Sequence, residues 1–446
     1  MKIVIAGAGD VGFHLAELLS HENQDITLID TDQEVLDHAA THLDVLTLRG
    51  DSSSMEVLKE AKAQKAGLVL AVTTSEKNNI LTAMLAKRMG ASKTIARVKS
   101  DEYLNTEQEK TLNDLGVDTL ISPQKLASDE IKRLVRQCSF TDVFEFDNGK
   151  INLVGFQIYG NSPLLNENVE QIEHRYDDMQ IKLVAILRGN ETILPSPTTY
   201  LRRNDHIYFV TRKEHIDFLA GIVEKRKTSV RNIMILGGSD LSLATAQCLE
   251  GNYNITLIEK DKDRCKQLTE HLSHTLVING NTSNIDLLEE EGLSNMDAFI
   301  ALTENFETNI IASLAAKNHG VYKTIAQVEH KEYIHLSQNL GVDTLINKKL
   351  IAANNIFRYI RKGQIEAITS LSGVDAEVIE FVVNKENYLT KKPLKDLHIP
   401  KAALVAGIVR NHKGIIPDKD FQLQLNDKVI VFCMPEAISK LEKLFR

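Results

Sequence analysis

Short apolar runs alternate with amphipathic stretches along the first 121 residues. The runs predict strands at Ile3–Ala6, Ile26–Ile29, Val45–Leu48, Leu68–Val72, Thr94–Val98 and Val117–Ile121. Between them, helical spacing appears over Val11–Leu19, Gln33–Thr41, Ser54–Ala61, Lys77–Met89 and Asp101–Leu115. Strict alternation of this kind builds a parallel sheet with helices on both faces, and short, nearly all-apolar strands are those buried on both sides.

The first strand runs directly into Gly7-Ala8-Gly9-Asp10-Val11-Gly12. In a Gly-x-Gly-x-x-Gly loop between strand and helix, Gly7 permits the tight turn. Gly9 removes a side chain that would hold a pyrophosphate off the backbone, and Gly12 lets the helix pack closely on the strand. The free N–H groups and positive end of that helix then face the anion. The second strand ends at Asp30, 18 residues after Gly12, where a carboxylate can accept ribose hydroxyls. The expected ligand is a dinucleotide or adenine nucleotide with an unphosphorylated ribose, because Asp30 would repel a 2′-phosphate.

The chain also repeats itself. Ala86-Lys87, Gly90, Lys93-Thr94-Ile95-Ala96-Arg97-Val98 and Glu102-Tyr103 return 230 residues later as Ala316-Lys317, Gly320, Lys323-Thr324-Ile325-Ala326-Gln327-Val328 and Glu332-Tyr333. Leu115-Gly116-Val117-Asp118-Thr119-Leu120-Ile121 returns as Leu340-Gly341-Val342-Asp343-Thr344-Leu345-Ile346. A repeat of this length is a tandem of whole modules, not a solenoid. Each nucleotide-type segment is followed by a helical stretch, Gln124–Gln137 or Lys349–Lys362, and then by a smaller β-rich module. Within the small modules Asn204-Asp205 and Asn426-Asp427 each precede an apolar strand and read as turns.

Composition narrows the class. The 446 residues carry 25% charged and 43% hydrophobic positions and a net charge of -9, an ordinary soluble balance. That acidity argues against nucleic acid as a partner, since phosphate backbones demand clustered cations. The basic run Lys225-Arg226-Lys227, with Arg231 nearby, reads as a solvated linker. Four cysteines without Cys-x-x-Cys spacing suggest neither zinc nor a disulfide framework and fit a reducing compartment. The longest apolar run, Ala402–Val409, is eight residues, short of the roughly 20 a membrane span needs. No signal-peptide pattern opens the chain, so a cytoplasmic location is expected.

On the duplicated order of large and small modules, and on the repeated residues above, the sequence resembles the TrkA family, the tandem RCK-domain regulators of bacterial Trk potassium uptake. The resemblance covers essentially the whole chain. It implies an α/β fold of tandem Rossmann-like parallel-sheet domains, each followed by a small α+β RCK C-lobe. The expected limits are 1–122 and 231–347 for the N-lobes, 123–139 and 348–363 for helical linkers, and 140–226 and 364–446 for the C-lobes. It further implies a homo-oligomer, a tetramer, peripheral on the inner face of the cell membrane and docked on a TrkH-type potassium-transporting subunit.

Similarity to the family adds Asp51, Thr73, Thr74 and Arg97 to the first site, all at carboxyl ends of strands, where open α/β sheets bind ligands. Asp51 and Thr73-Thr74 read equally as helix-start signals, while Arg97, a cation ending an apolar strand, reads as a phosphate or subunit clamp. Some relatives hold a terminal phosphate with an arginine near Asp10. A carboxylate there favours NAD or NADH over ATP or ADP. In the second unit the loop is Gly237-Gly238-Ser239-Asp240-Leu241-Ser242, with serine answering both Gly9 and Gly12. Glu259 answers Asp30 and could hold a ribose, but Asn281 replaces Asp51 and Gln327 replaces Arg97. The second site is therefore expected to be weaker, altered or empty.

No nucleophile elbow, His-Glu-x-x-His or P-loop lysine motif occurs, and the 14 histidines show no paired arrangement. A regulatory ligand-binding subunit without enzyme chemistry is the expectation. A soluble NAD-dependent oxidoreductase built on the same glycine loop is the alternative.

Overall fold

A computed structural model describes residues 1–20, 24–158, 160, 162–176, 179–189, 191–223, 230–329, 332–360, 365–370 and 376–445. The basic run Lys225-Arg226-Lys227 and the expected domain limits at 226, 363 and 364 lie outside the described residues. Among the described residues the strands form four sheets.

The first sheet holds β1 (Lys2–Ala6), β2 (Asp25–Asp30), β3 (Leu46–Arg49), β4 (Leu68–Ala71), β5 (Thr94–Arg97) and β6 (Thr119–Ile121), all parallel and in the order β3-β2-β1-β4-β5-β6. The order reverses between β1 and β4, which opens a crevice at the strands' carboxyl ends, where such sheets bind ligands. Ile3 to Ala6 and Leu68 to Ala71 are wholly buried, as the unbroken apolar runs require. The expected helix Asp101–Leu115 is broken: a 3₁₀ turn, Asp101–Leu104, precedes the helix Thr106–Asp114. The break follows from Asn105, whose Oδ1 accepts the Gln108 N–H at 2.9 Å and starts a new helix.

Next comes an antiparallel sheet of β7 (Asp142–Phe146), β8 (Ile151–Gln157), β9 (Lys182–Arg188), β10 (Glu191–Ile193) and β11 (His206–Arg212), ordered β10-β9-β11-β8-β7. The second half of the chain repeats both. Its parallel sheet contains β12 (Asn232–Leu236), β13 (Asn254–Glu259), β14 (Thr275–Asn279), β15 (Ala298–Ala301), β16 (Lys323–Gln327) and β17 (Thr344–Ile346), ordered β14-β13-β12-β15-β16-β17. Its antiparallel sheet contains β18 (Ile365–Ser370), β19 (Glu377–Val382), β20 (Ala403–Arg410), β21 (Lys413–Ile415) and β22 (Lys428–Cys433), ordered β18-β19-β22-β20-β21.

The chain divides into two compact units, Met1–Ser128 with Asn347–Ile360, and Asp129–Ile346 with Arg361–Arg446. In the first unit, the helix Lys348–Ile360, which in sequence follows the second parallel sheet, packs on the helix Asp10–Ser20 of the first. In the other unit the two antiparallel sheets share one core. Alternation along β8 sends Val154 and Phe156 to a cluster with the helices of the first C-lobe, and Ile151 and Leu153 to a cluster with Val378, Ile430 and Phe432 of the second. A bulge between Tyr208 and Phe209 lets the consecutive residues Val184 and Ala185 both reach that shared cluster.

The Asn-Asp pairs do more than turn the chain. Asn204 and Asn426 both take φ of 68°, as a left-handed turn residue should. Each following aspartate is buried and holds an arginine two-pronged: Arg188 Nε and Nη2 on Asp205, both at 2.8 Å, and Arg410 Nε at 2.8 Å and Nη2 at 2.7 Å on Asp427. The Arg188 guanidinium is held above its ordinary value, chiefly by its hydrogen bond to Asp205.

Candidate nucleotide sites

The glycine loop takes the conformation its residues imply. Gly7 has φ of 103°, and a Cβ there would stand 2.8 Å from the Thr73 nitrogen. A Cβ on Gly12 would fall 1.8 Å from the Gly7 carbonyl oxygen, so the helix Asp10–Ser20 can seat itself only on a glycine. Gly9 is the opposite case: a Cβ there meets nothing within 4 Å. The space above it is open, where a diphosphate would approach the backbone.

Asp30 closes the loop from below. The Ala8 N–H donates to Asp30 Oδ2 at 2.7 Å and the Asp32 N–H donates to Oδ1 at 3.1 Å. An ionised carboxylate has about four acceptor positions, so two remain for hydroxyls. At the ends of β4 and β5, Asn79 is buried and does what the sequence reading missed. Its Oδ1 accepts the Thr73 N–H at 2.9 Å and hydroxyl at 2.7 Å, while its Nδ2 donates to the carbonyls of Thr73 at 3.0 Å and Arg97 at 2.9 Å. A polar residue recurring at the same helix position in both repeats, Asn79 and Asn309, was the available signal.

These pieces enclose a cleft of about 460 Å³. Gly7, Gly9, Asp10, Val11, Asp30, Asp51, Thr73, Thr74 and Arg97 all line it. Ala8 and Gly12 do not: Ala8 is wholly buried and acts through its N–H, and Gly12 serves packing. Asp51 does not cap the helix Met55–Glu60, whose first flanking residue is Ser54; it turns the chain just before it, accepting the Ser53 N–H at 2.9 Å and hydroxyl at 2.7 Å, bonds that hold its carboxyl below the ordinary value. Burial pulls the Arg97 guanidinium below its ordinary value against the opposing Asp10 charge, and its buried Nε makes no hydrogen bond among the described residues. An open backbone cradle and a buried guanidinium whose Nε lacks a partner fit a phosphate-bearing nucleotide.

Four further lining residues come from linker helices: Pro123 and Gln124 from Pro123–Arg136, and Lys348 and Lys349 from Lys348–Ile360. Sequence reasoning gave no hint of the lysines, which lie in the other repeat. Lys349 Nζ stands 2.6 Å from Asp10 Oδ2. Asp10 itself offers a carboxylate and no cation, and the cations beside it come from outside the glycine loop: Lys349, paired with it, and Lys348 and Arg97 in the same lining.

The second cleft, about 690 Å³, is lined by Gly238, Ser239, Asp240, Glu259 and Asn281 together with Lys260, Asp261, Arg264 and Glu304. Gly237, with φ of 95°, and Leu241, buried in the core, do not line it. Here Ser239 caps its own helix, its Oγ accepting the Ser242 N–H at 3.2 Å. Arg264 folds over the loop, donating from Nε to the Gly238 carbonyl at 2.6 Å and from Nη2 to Asp240 Oδ1 at 2.9 Å. Glu259 takes the Gly238 and Asp261 N–H groups, as Asp30 takes those of Ala8 and Asp32, but is buried where Asp30 is half-buried.

Two matches to known families bear on these lobes. TrkA-N domains match residues 3–123 and 233–348, and TrkA-C domains match 153–220 and 378–446. The chain belongs to the TrkA family. It is 33% identical over 447 residues to the Trk system potassium uptake protein TrkA homolog of Archaeoglobus fulgidus, covering 100% of both chains. It is 30% identical to the Trk system potassium uptake protein TrkA of Halomonas elongata over 100% of this chain and 99% of that one. Among solved structures, the GsuK RCK domain superposes with a TM-score of 0.62 at 14% identity over 100% of this chain and 94% of its own. The GsuK channel bound to NAD gives 0.62 at 14% identity over 100% and 78%. At such identities the likeness shows the fold: tandem Rossmann-like lobes with RCK-type C-lobes.

The 14 histidines were expected to show no pairing. Among the described residues His14 and His319 pair with Glu17 and Glu289 at the surface, and His206 makes a buried pair. His206 Nε2 lies 3.1 Å from Asp142 Oδ2 and 2.6 Å from the Thr141 hydroxyl, all three buried. They stand beside Lys323, whose Nζ donates to the Phe140 carbonyl at 2.6 Å, so the cluster joins the first C-lobe to the second N-lobe. Among the described residues no helix is long and apolar enough to cross a membrane.

Proposed function

We propose that this chain is a regulatory subunit of potassium uptake, in which the first cleft binds NAD(H) or an adenine nucleotide and occupancy biases the conformation of a homo-oligomer docked on a membrane transporter. Family membership supports the transport role, since full-length relatives carry the name of Trk system potassium uptake proteins. The observation that carries the ligand assignment is the open space above Gly9 between Asp30 and Arg97. Asp30 would hold a ribose and the loop a diphosphate, while Asp51, Thr73 and Thr74 complete the rim. A ligand shifts such an assembly only if it binds its states with different affinity. The assembly is a tetramer on the cytosolic face of a TrkH-type subunit, and the chain acts by binding, without turnover.

The test is potassium flux into vesicles containing a TrkH-type subunit, with and without the chain, across NAD, NADH, ADP and ATP. Flux that depends on the chain and on which nucleotide is present supports the reading. Flux indifferent to both, or steady consumption of NADH with a small substrate, would overturn it in favour of an oxidoreductase.

A further inference from the structure

The helix Lys348–Ile360 begins with two lysines and has no acidic residue in its first turn. Cations there add to the positive end of the helix dipole and are unfavourable unless an anion lies close. Asn347 caps this end, its Oδ1 accepting the N–H of Lys349 at 3.0 Å and of Leu350 at 3.1 Å. The nearby anion is Asp10, itself the first residue of the helix Asp10–Ser20, with its carboxylate 2.6 Å from Lys349 Nζ. One carboxylate thus bridges the N-termini of two helices from different repeats, at the mouth of the cleft that Arg97 and Lys348 also line. The Asp10 side chain is 71% exposed and that of Lys349 only 23%, so the lysine is largely enclosed by the cleft wall while the carboxylate faces solvent.

We propose that the Asp10–Lys349 ion pair is a latch, opened by a ligand with a free terminal phosphate that replaces the Asp10 carboxylate as the partner of Lys349. This rests on the first cleft being the nucleotide site. A dinucleotide carries its diphosphate between two ribosides and has no terminal phosphate to offer. It leaves the latch shut, so the helix of the second repeat distinguishes a nucleoside polyphosphate from a dinucleotide in the first.

Both side chains lie at the surface of the cleft, so Lys349→Gln and Asp10→Asn are compatible with folding. Titration calorimetry of the full chain with ATP, ADP and NADH reads the latch. Lys349→Gln should weaken ATP and ADP by about tenfold, the scale of one charge-assisted hydrogen bond, and leave NADH within about twofold. Asp10→Asn, which removes the carboxylate that competes for Lys349, should tighten ATP and ADP by about tenfold, and this gain should vanish in the double variant. If all nucleotides bind the wild type but the two substitutions change ATP, ADP and NADH alike or not at all, the latch is refuted and the site stands. If no nucleotide binds the wild type, the site and the latch fall together.

Discussion

The two parallel-sheet lobes share strand order, loop position and a buried asparagine at the end of the fourth strand, yet one glycine loop is open to an anion and the other is covered by its own side chains. In the first, the space above Gly9 is empty and Asp10, Asp30 and Asp51 face Arg97, Lys348 and Lys349. In the second, the hydroxyl of Ser239 does for the helix end what a phosphate oxygen would do, and Arg264 lies across the loop. That lining carries Asp240, Glu259, Asp261 and Glu304 against only Lys260 and Arg264, and includes no residue of either linker helix. The second lobe thus keeps the fold while a serine supplies the helix cap and an arginine supplies the counter-charge at the loop.

The comparison breaks most sharply at Gly12, whose counterpart is Ser242. Placing serine there puts a Cβ against the Gly7 carbonyl, so Gly12→Ser should cost about 3 kcal/mol in denaturant unfolding and abolish nucleotide binding, as overpacking against backbone does. Stability near wild type would mean that the first loop can adopt the second's geometry. Next in size are Asn79→Ala and Asn309→Ala. Asn309 repeats the Asn79 network, accepting from the Thr303 N–H at 2.9 Å and hydroxyl at 2.6 Å and donating to the Thr303 carbonyl at 3.0 Å and the Gln327 carbonyl at 3.1 Å. Each loss should cost about 2 kcal/mol of stability, because buried backbone groups are left unsatisfied. Markedly unequal thermal shifts would show that the lobes are not built alike.

A smaller effect concerns what the second lobe gained in exchange. Lys93 is exposed, whereas its counterpart Lys323 is buried and holds the first C-lobe beside Asp142. Burial is the strongest influence on Asp142 and pushes its carboxyl up, but the hydrogen bonds from His206 and Thr141 and the His206 and Lys323 charges together carry it below the ordinary 3.8. A lowered carboxylate stabilises the fold above the unfolded-state value, and that contribution is lost as pH falls from about 3.8 through the folded-state value. Melting temperatures of Asp142→Asn should therefore fall less steeply than wild type below that pH. An identical acid limb would remove Asp142 from the linkage.

Much of this was legible in the chain. Apolar runs located every strand of the first sheet to within two residues, and the glycine loop with Asp30 marked the crevice between them. The internal repeat was visible as well and read correctly as a tandem of whole modules, but the contacts its residues make were not. Lys87, Thr94 and Asp118 form one cluster, with Lys87 Nζ and the Thr94 N–H both 2.8 Å from Asp118 Oδ2, and Lys317, Thr324 and Asp343 form its copy. These three repeated residues therefore tie strand to helix, and none of them lines the ligand cleft. Asn204-Asp205 and Asn426-Asp427 read as turns because turn chemistry is local. Their clamp on Arg188 and Arg410 is a contact across strands that local pattern cannot carry. The largest omission, Lys348 and Lys349, arose for the same reason, since nothing near them in sequence says that their helix packs against the first repeat.

The central claim is that the first cleft alone receives nucleotide. Calorimetry of NADH, ADP and ATP against wild type, Asp30→Ala and Glu259→Ala tests it most directly. One site per chain is expected, weakened at least tenfold by Asp30→Ala and unchanged by Glu259→Ala, in line with the loss of a charged acceptor. Two equivalent sites, or binding that survives Asp30→Ala and disappears in Glu259→Ala, would contradict it.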